Sequence, residues 1–195
     1  MRLAIRVFLG GILLAFLPIG CAWTIRPPAA VSDPTTVYLT EYKRHTRLAL
    51  PSPDPKDGWV EYGFGEWNYY GLENRSNFSG LRAITGLGTA ARSRRQIRAS
   101  KDEAEFLVLS GGNFTAPIQV DRKSAESLQK QLETEWAALQ DSSTVRRKDG
   151  VPVSISPDET YHLFHNSNHA TALWLRDLDC DVDGTPILSN FQVRE

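Results

Sequence analysis

Residues 161–175 read YHLFHNSNHATALWL, and their pattern decides how the chain is built. Tyr161 to Phe164 has the composition of a short strand. It runs into the polar knot Asn166-Ser167-Asn168, after which Ala170, Thr171 and Ala172 open a helix that continues to Leu178. A strand feeding a helix in this way sets Ser167 at a helix N-terminus, where unpaired backbone N–H groups and the helix dipole favour an anionic atom. The same position suits a hydroxyl that caps the helix, a role Asn166 and Asn168 can share. Both readings of Ser167 stand at this level.

Working outward, Asp179, Asp181, Asp183 and Gly184 imitate the first half of a calcium loop. The second half fails, because Asn190 stands where a bidentate Glu is needed and Pro186 takes the apolar position, so a polar turn is expected. Residues 187–193 then close as a strand. On the other side, residues 151–156 (VPVSIS) suggest an edge strand because of Pro152. From Ser124 to Gln140, Leu128, Leu132, Trp136 and Leu139 lie on one helical stripe, with Asp121 or Ser124 as cap. Residues 105–110 (EFLVLS) predict a strand ended by Gly111-Gly112-Asn113, with Ile118 and Val120 in a short neighbour. A helix over 79–92 is weakened by Gly86 and Gly88. Residues 59–65 (WVEYGFG) alternate, so Val60, Tyr62 and Phe64 face one way and Trp59, Glu61 and Gly63 the other. Residues 36–42 and 47–50 are further strands. Strands at both ends with helices between them predict an α+β fold, an antiparallel sheet with two or three helices.

Three of the four histidines, His162, His165 and His169, fall close together beside Ser167, with His45 far upstream. No HExxH motif and no cysteine or carboxylate cluster at zinc spacing accompanies them, so neither a metal nor another cofactor is expected.

The chain opens with Arg2 and Arg6, followed by the uncharged run VFLGGILLAFLPI and then Gly20-Cys21. A basic start, a short apolar run and a small residue before cysteine describe a signal segment over 1–20. Cys21 would be acylated as the new terminus, although Pro18 stands where such sites usually carry Leu. An uncleaved anchor and ordinary cleavage are the alternatives. Ala22 rather than Asp after the cysteine points to the outer membrane, with the chain facing the periplasm. Residues 21–35 read as a lipidated tether and 36–195 as one domain. Setting aside Arg2 and Arg6, 20 basic residues face 23 acidic ones, which offers no footprint for nucleic acid. With Cys21 acylated, Cys180 has no partner and is expected as a buried small hydrophobe.

The stretch around Ser167 resembles a family of exported bacterial proteins of uncharacterised function, whose corresponding stretch reads roughly Thr-Cys-Asn-Thr-Trp. That family is remotely similar to circularly permuted papain-like (NlpC-type) amidases, which carry histidine early on a strand and cysteine late at a helix start. Residues 37–50 (VYLTEYKRHTRLAL) and 58–70 (GWVEYGFGEWNYY) resemble the early strands of the same family. The resemblance implies His45 as base, Glu61 as its orienter and Ser167 at the nucleophile position. It also implies a permuted papain-like outline. The departure is Ser167 where the enzymes keep Cys, and a serine hydroxyl depends far more on its base. Without the resemblance, His45 reads as a strand histidine and Glu61 as a solvent-facing residue.

The expectation is therefore a cell-envelope lipoprotein that serves as a non-catalytic binding or structural module, with the membrane as one partner and an envelope protein or cell-wall ligand as another. The alternatives are a Ser167/His45 amidase or esterase acting on cell-wall peptides or lipids, and a scaffold docking through the aromatic region Trp59 to Tyr70.

Overall fold

A computed structural model describes residues 22–139 and 143–194, so the signal segment and Cys21 lie outside the described residues. The fold is mixed α+β, with a large antiparallel sheet and a small second one. The large sheet runs β6-β2-β3-β4-β5-β8-β7, every neighbouring pair antiparallel. Its strands are β2 (Pro34–Tyr42), β3 (His45–Pro51), β4 (Trp59–Glu66), β5 (Gly88–Ile97), β6 (Phe114–Asp121), β7 (Thr144–Arg146) and β8 (Pro152–Tyr161). The small sheet sets β1 (Trp23–Arg26) between β9 (Asp181–Asp183), antiparallel, and β10 (Phe191–Val193), parallel.

The alternation of β2, β3 and β4 works as expected on the core side, where Leu39, Leu48, Leu50, Val60, Tyr62 and Phe64 share one cluster. Two helices cover that face. Helix α3 (Arg122–Ala138), capped by Asp121, contributes Ala125, Leu128 and Leu132, and helix α4 (Ser167–Asp177) contributes Trp174 and Leu175. Cys180 is buried in the same cluster as a free thiol.

The opposite face is also occupied. Helix α2 (Glu103–Ser110) anchors there through Phe106, which is fully buried and stacks on Tyr38 with ring centroids 4.0 Å apart. This corrects the strand expected over 105–110. The Asp102 carboxylate accepts from Glu105 N–H, and Gly111 closes the helix in the left-handed region at φ +68°, so capping overrides the apolar run. Val108, 79% exposed, shows that the run is not a core strand.

Other boundaries move for local reasons. Helix α1 (Asn77–Thr85) stops at Gly86, φ +77°, and residues 88–97 form β5 instead of continuing it. Strand β8 is longer than expected and is not an edge, since β7 pairs along it and meets Pro152 at Arg146. Tyr161 ends β8, and 162–165 form a tight turn closed by the His162–His165 backbone pair. Residues 181–183 form β9 rather than a turn.

The front of the domain also differs. Trp23 and Ile25 are completely buried, so the tether expected over 21–35 includes a core strand and the domain begins before residue 36. Among the described residues no helix is long and apolar enough to cross a membrane.

Candidate functional site

His45 is fixed by a hairpin. Strands β2 and β3 pair up to Tyr42 opposite His45, leaving Lys43 and Arg44 as a two-residue tip. Lys43 holds φ +59°, a strained conformation for a residue with a side chain. The Asn113 side chain accepts from Lys43 N–H, and the Ser189 hydroxyl donates to Lys43 C=O. Two distant segments thus hold the hairpin tip in shape.

Ser167 is fixed by the start of α4. Asn166 is the cap, its side-chain oxygen accepting from the backbone N–H groups of Asn168 (2.8 Å) and His169 (3.1 Å). Ser167 is therefore the first helical residue, and its hydroxyl is free for another partner. That partner is His45, with Nδ1 3.0 Å from Ser167 Oγ. The helix is tied to β3 at two further points and to the hairpin tip at a third. Thr46 Oγ1 donates to Asn168 Oδ1, Thr171 Oγ1 to the Thr46 carbonyl, and Asn168 Nδ2 to the Arg44 carbonyl. A buried polar seam thus joins an early strand to a late helix, and the two predicted residues meet within it.

Glu61 is not part of that meeting. The β3–β4 register sets Glu61 opposite Ala49, four residues along β3 from His45, or about 13 Å at 3.3 Å per residue. It does not face solvent. It is buried, accepting from Tyr42 Oη (2.5 Å), Arg47 (3.1 Å) and Arg95 (3.1 Å). Glu61 neutralises two guanidinium groups and holds the hydroxyl of Tyr42, the residue paired with His45, and its own hydrogen bonds go to Tyr42, Arg47 and Arg95.

The electrostatics around the pair run against proton uptake. Burial pushes His45 down to about 4, and Arg47, Arg147, Arg75 and Arg44 add to the effect. A general base that must become an imidazolium is disfavoured by that surrounding charge. Ser167 is completely buried, with no surface for an incoming carbonyl. Tyr161 lies beside it. Burial raises the Tyr161 phenol, and neighbouring Ser167 acts in the opposite sense.

Beside the pair lies a cavity of about 430 Å³ lined by the hairpin tip, Tyr69, Tyr70, Arg75, Arg147 and Asp149. Its aromatic wall exists because β4 carries glycines. After Glu66 the chain makes a π-helical turn (Trp67–Gly71), which folds Tyr70 back over β4. A Cβ on Gly65 would lie 2.3 Å from the Tyr70 ring, and one on Gly63 would lie 3.0 Å from its hydroxyl. Arg147 stacks over Tyr70 at 4.6 Å and Arg47 over Tyr42 at 4.3 Å.

Sequence reasoning missed Arg44, Arg75, Arg147 and this turn. The EWNYY stretch read as a continued strand, and the arginines converge only in the folded chain. Among the described residues no three His, Cys, Asp or Glu side chains gather for a metal, and His165 instead pairs with Glu159.

The fold and the site define an α+β domain in which a buried serine meets a half-buried histidine beside a cationic cavity. Comparison with family models, with curated proteins and with solved structures finds no match for the chain.

Proposed function

We propose that the protein is a non-catalytic binding module of the bacterial cell envelope, anchored through acylated Cys21, with its ligand held in the cavity beside His45. One observation carries the non-catalytic reading. The Ser167 hydroxyl is completely buried and satisfied by His45, whose imidazole is held neutral by burial and four arginines. The pair then acts as a structural clasp between β3 and α4. Envelope location rests on the sequence of residues 1–21 alone, and the outer membrane is proposed from Ala22. A permuted papain-like outline is part of this proposal, supported by the meeting of an early strand histidine with a late helix N-terminus.

A hydrolase remains the second reading because the 3.0 Å contact is the geometry a nucleophile and its base require. The test is to treat the full chain in detergent with a fluorophosphonate probe, alongside Ser167→Ala. The binding module stays unlabelled. Labelling that disappears in Ser167→Ala would overturn it in favour of the hydrolase.

A further inference from the structure

The cavity beside His45 carries an unbalanced charge. Lys43, Arg44, Arg47, Arg75 and Arg147 line it, against the single carboxylate of Asp149. Two of the cations are already used. Arg47 is paired with Glu61, and Arg147 is paired with Asp149. Among the described residues Lys43, Arg44 and Arg75 form no ion pair, and all three are exposed at the cavity mouth. Three unpaired cations thus converge on one concavity. The strain at Lys43 adds to this, because strained residues persist where the surrounding structure imposes them, and they concentrate at ligand sites. Here Asn113 and Ser189 hold the strained tip so that Lys43 and Arg44 border the cavity.

We infer that the cavity binds a small ligand through an oxyanion, a carboxylate or phosphate, received by Arg44 and Arg75 and supported by Arg147. The guanidinium fork matches the two oxygens of either group with paired charge-assisted hydrogen bonds. The aromatic faces of Tyr69 and Tyr70 supply an apolar wall for the rest of the ligand. A volume of about 430 Å³ is suited to a molecule of dipeptide size, within the usual range for small-ligand sites. His45 contributes as a neutral ring at the inner end, so the cations at the rim supply the charge recognition. This inference rests on the proposed binding role and names its ligand class.

The test uses the full chain in detergent, with calorimetry and proton resonances of the His45 ring as readouts. The probes are N-acetyl-alanine, its neutral amide, and inorganic phosphate. The acid or the phosphate binds and shifts the His45 resonances, and added salt weakens binding by screening. Which of the two binds more tightly assigns the source as a peptide carboxylate or a phosphoryl group. Arg75→Ala and Arg44→Ala each weaken binding about tenfold, since each removes a charge-assisted contact. Both side chains are exposed and unpaired, and an unchanged circular dichroism spectrum confirms folding. Equal binding of the amide and the acid, no binding of either anion, or full affinity in Arg75→Ala would overturn the inference. Failure here leaves the non-catalytic reading intact, whereas fluorophosphonate labelling of Ser167 would overturn that reading and leave anion binding standing.

Discussion

Between pH 6.5 and about 4 the fold should lose stability through His45, and the loss should be absent from His45→Asn. In the unfolded chain this imidazole takes up a proton as the pH falls through 6.5, whereas in the native domain it stays neutral down to about 4. The unfolded state therefore binds more protons across that window. Stability is fully present above 6.5, falls with pH, and levels off below about 4. At about 1.4 kcal/mol per pH unit, the gap amounts to about 3 kcal/mol. The groups responsible come from every element around the ring. Arg44 and Arg47 belong to the β2–β3 hairpin, Arg75 precedes α1, and Arg147 precedes β8. Ser167 contributes the neutral hydrogen bond, and the Tyr69 and Tyr70 rings lie with their centroids 6.4 and 5.7 Å from the imidazole. The assay is urea unfolding of both proteins at about pH 7 and about pH 4. His169, also lowered by burial and then by nearby cations, titrates in both proteins and cancels in the difference. A difference under about 1 kcal/mol, or a His45 resonance titrating near 6.5, would refute the reasoning.

Glu61→Ala leaves Arg47 buried and without its carboxylate, and should cost about 3–5 kcal/mol in urea unfolding at neutral pH. Gly65→Ala sets a methyl group into the Tyr70 ring and should cost about 1–3 kcal/mol, with a changed near-ultraviolet tyrosine signal reporting the displaced wall. Cys180 is 5% exposed, and burial followed by Asp179 raises its thiol to about 12. It should react with a maleimide only at the rate of unfolding, so alkylation that proceeds freely in the native protein would contradict its placement.

The elements legible in the sequence were those whose residue types repeat with the period of their structure. In β2, β3 and β4 the larger apolar side chains alternate onto the face that meets α3 and α4, while the other face of β3 and β4, also buried, carries Arg47, Ala49 and Glu61, and α3 shows its stripe because Leu128 and Leu132 are buried beneath it. Strand β5 was not legible because it is rich in arginine. Arg92 reaches Glu135 and Glu159, and Arg94 reaches Glu133, so its charges are matched by residues distant in sequence. At the site, His45 and Ser167 could be paired through a resemblance in three short stretches. The partners of Glu61 were not legible, because register along β3 and β4 is a property of the hairpins. The cavity was hidden for a similar reason, since Arg75 and Arg147 come from separate loops.

Strand β1 sets an order of assembly. Trp23–Arg26 lies in the middle of its sheet, yet both of its neighbours come late in the chain. Arg26 bonds Asp181 across 155 residues and Trp23 Nε1 donates to Leu188 C=O across 165. A chain emerging from its N-terminus carries a bare tryptophan strand until almost everything else has been made. The large sheet and α3 can form beforehand, because their residues are already present. Closure of β1 between β9 and β10 is then the last step, and it joins the two ends of the domain like a clasp. Contacts of such long sequence separation form slowly, because loop closure must come before they contribute. Cutting the chain after Leu178 would strand Trp23 in water and expose the core that it covers.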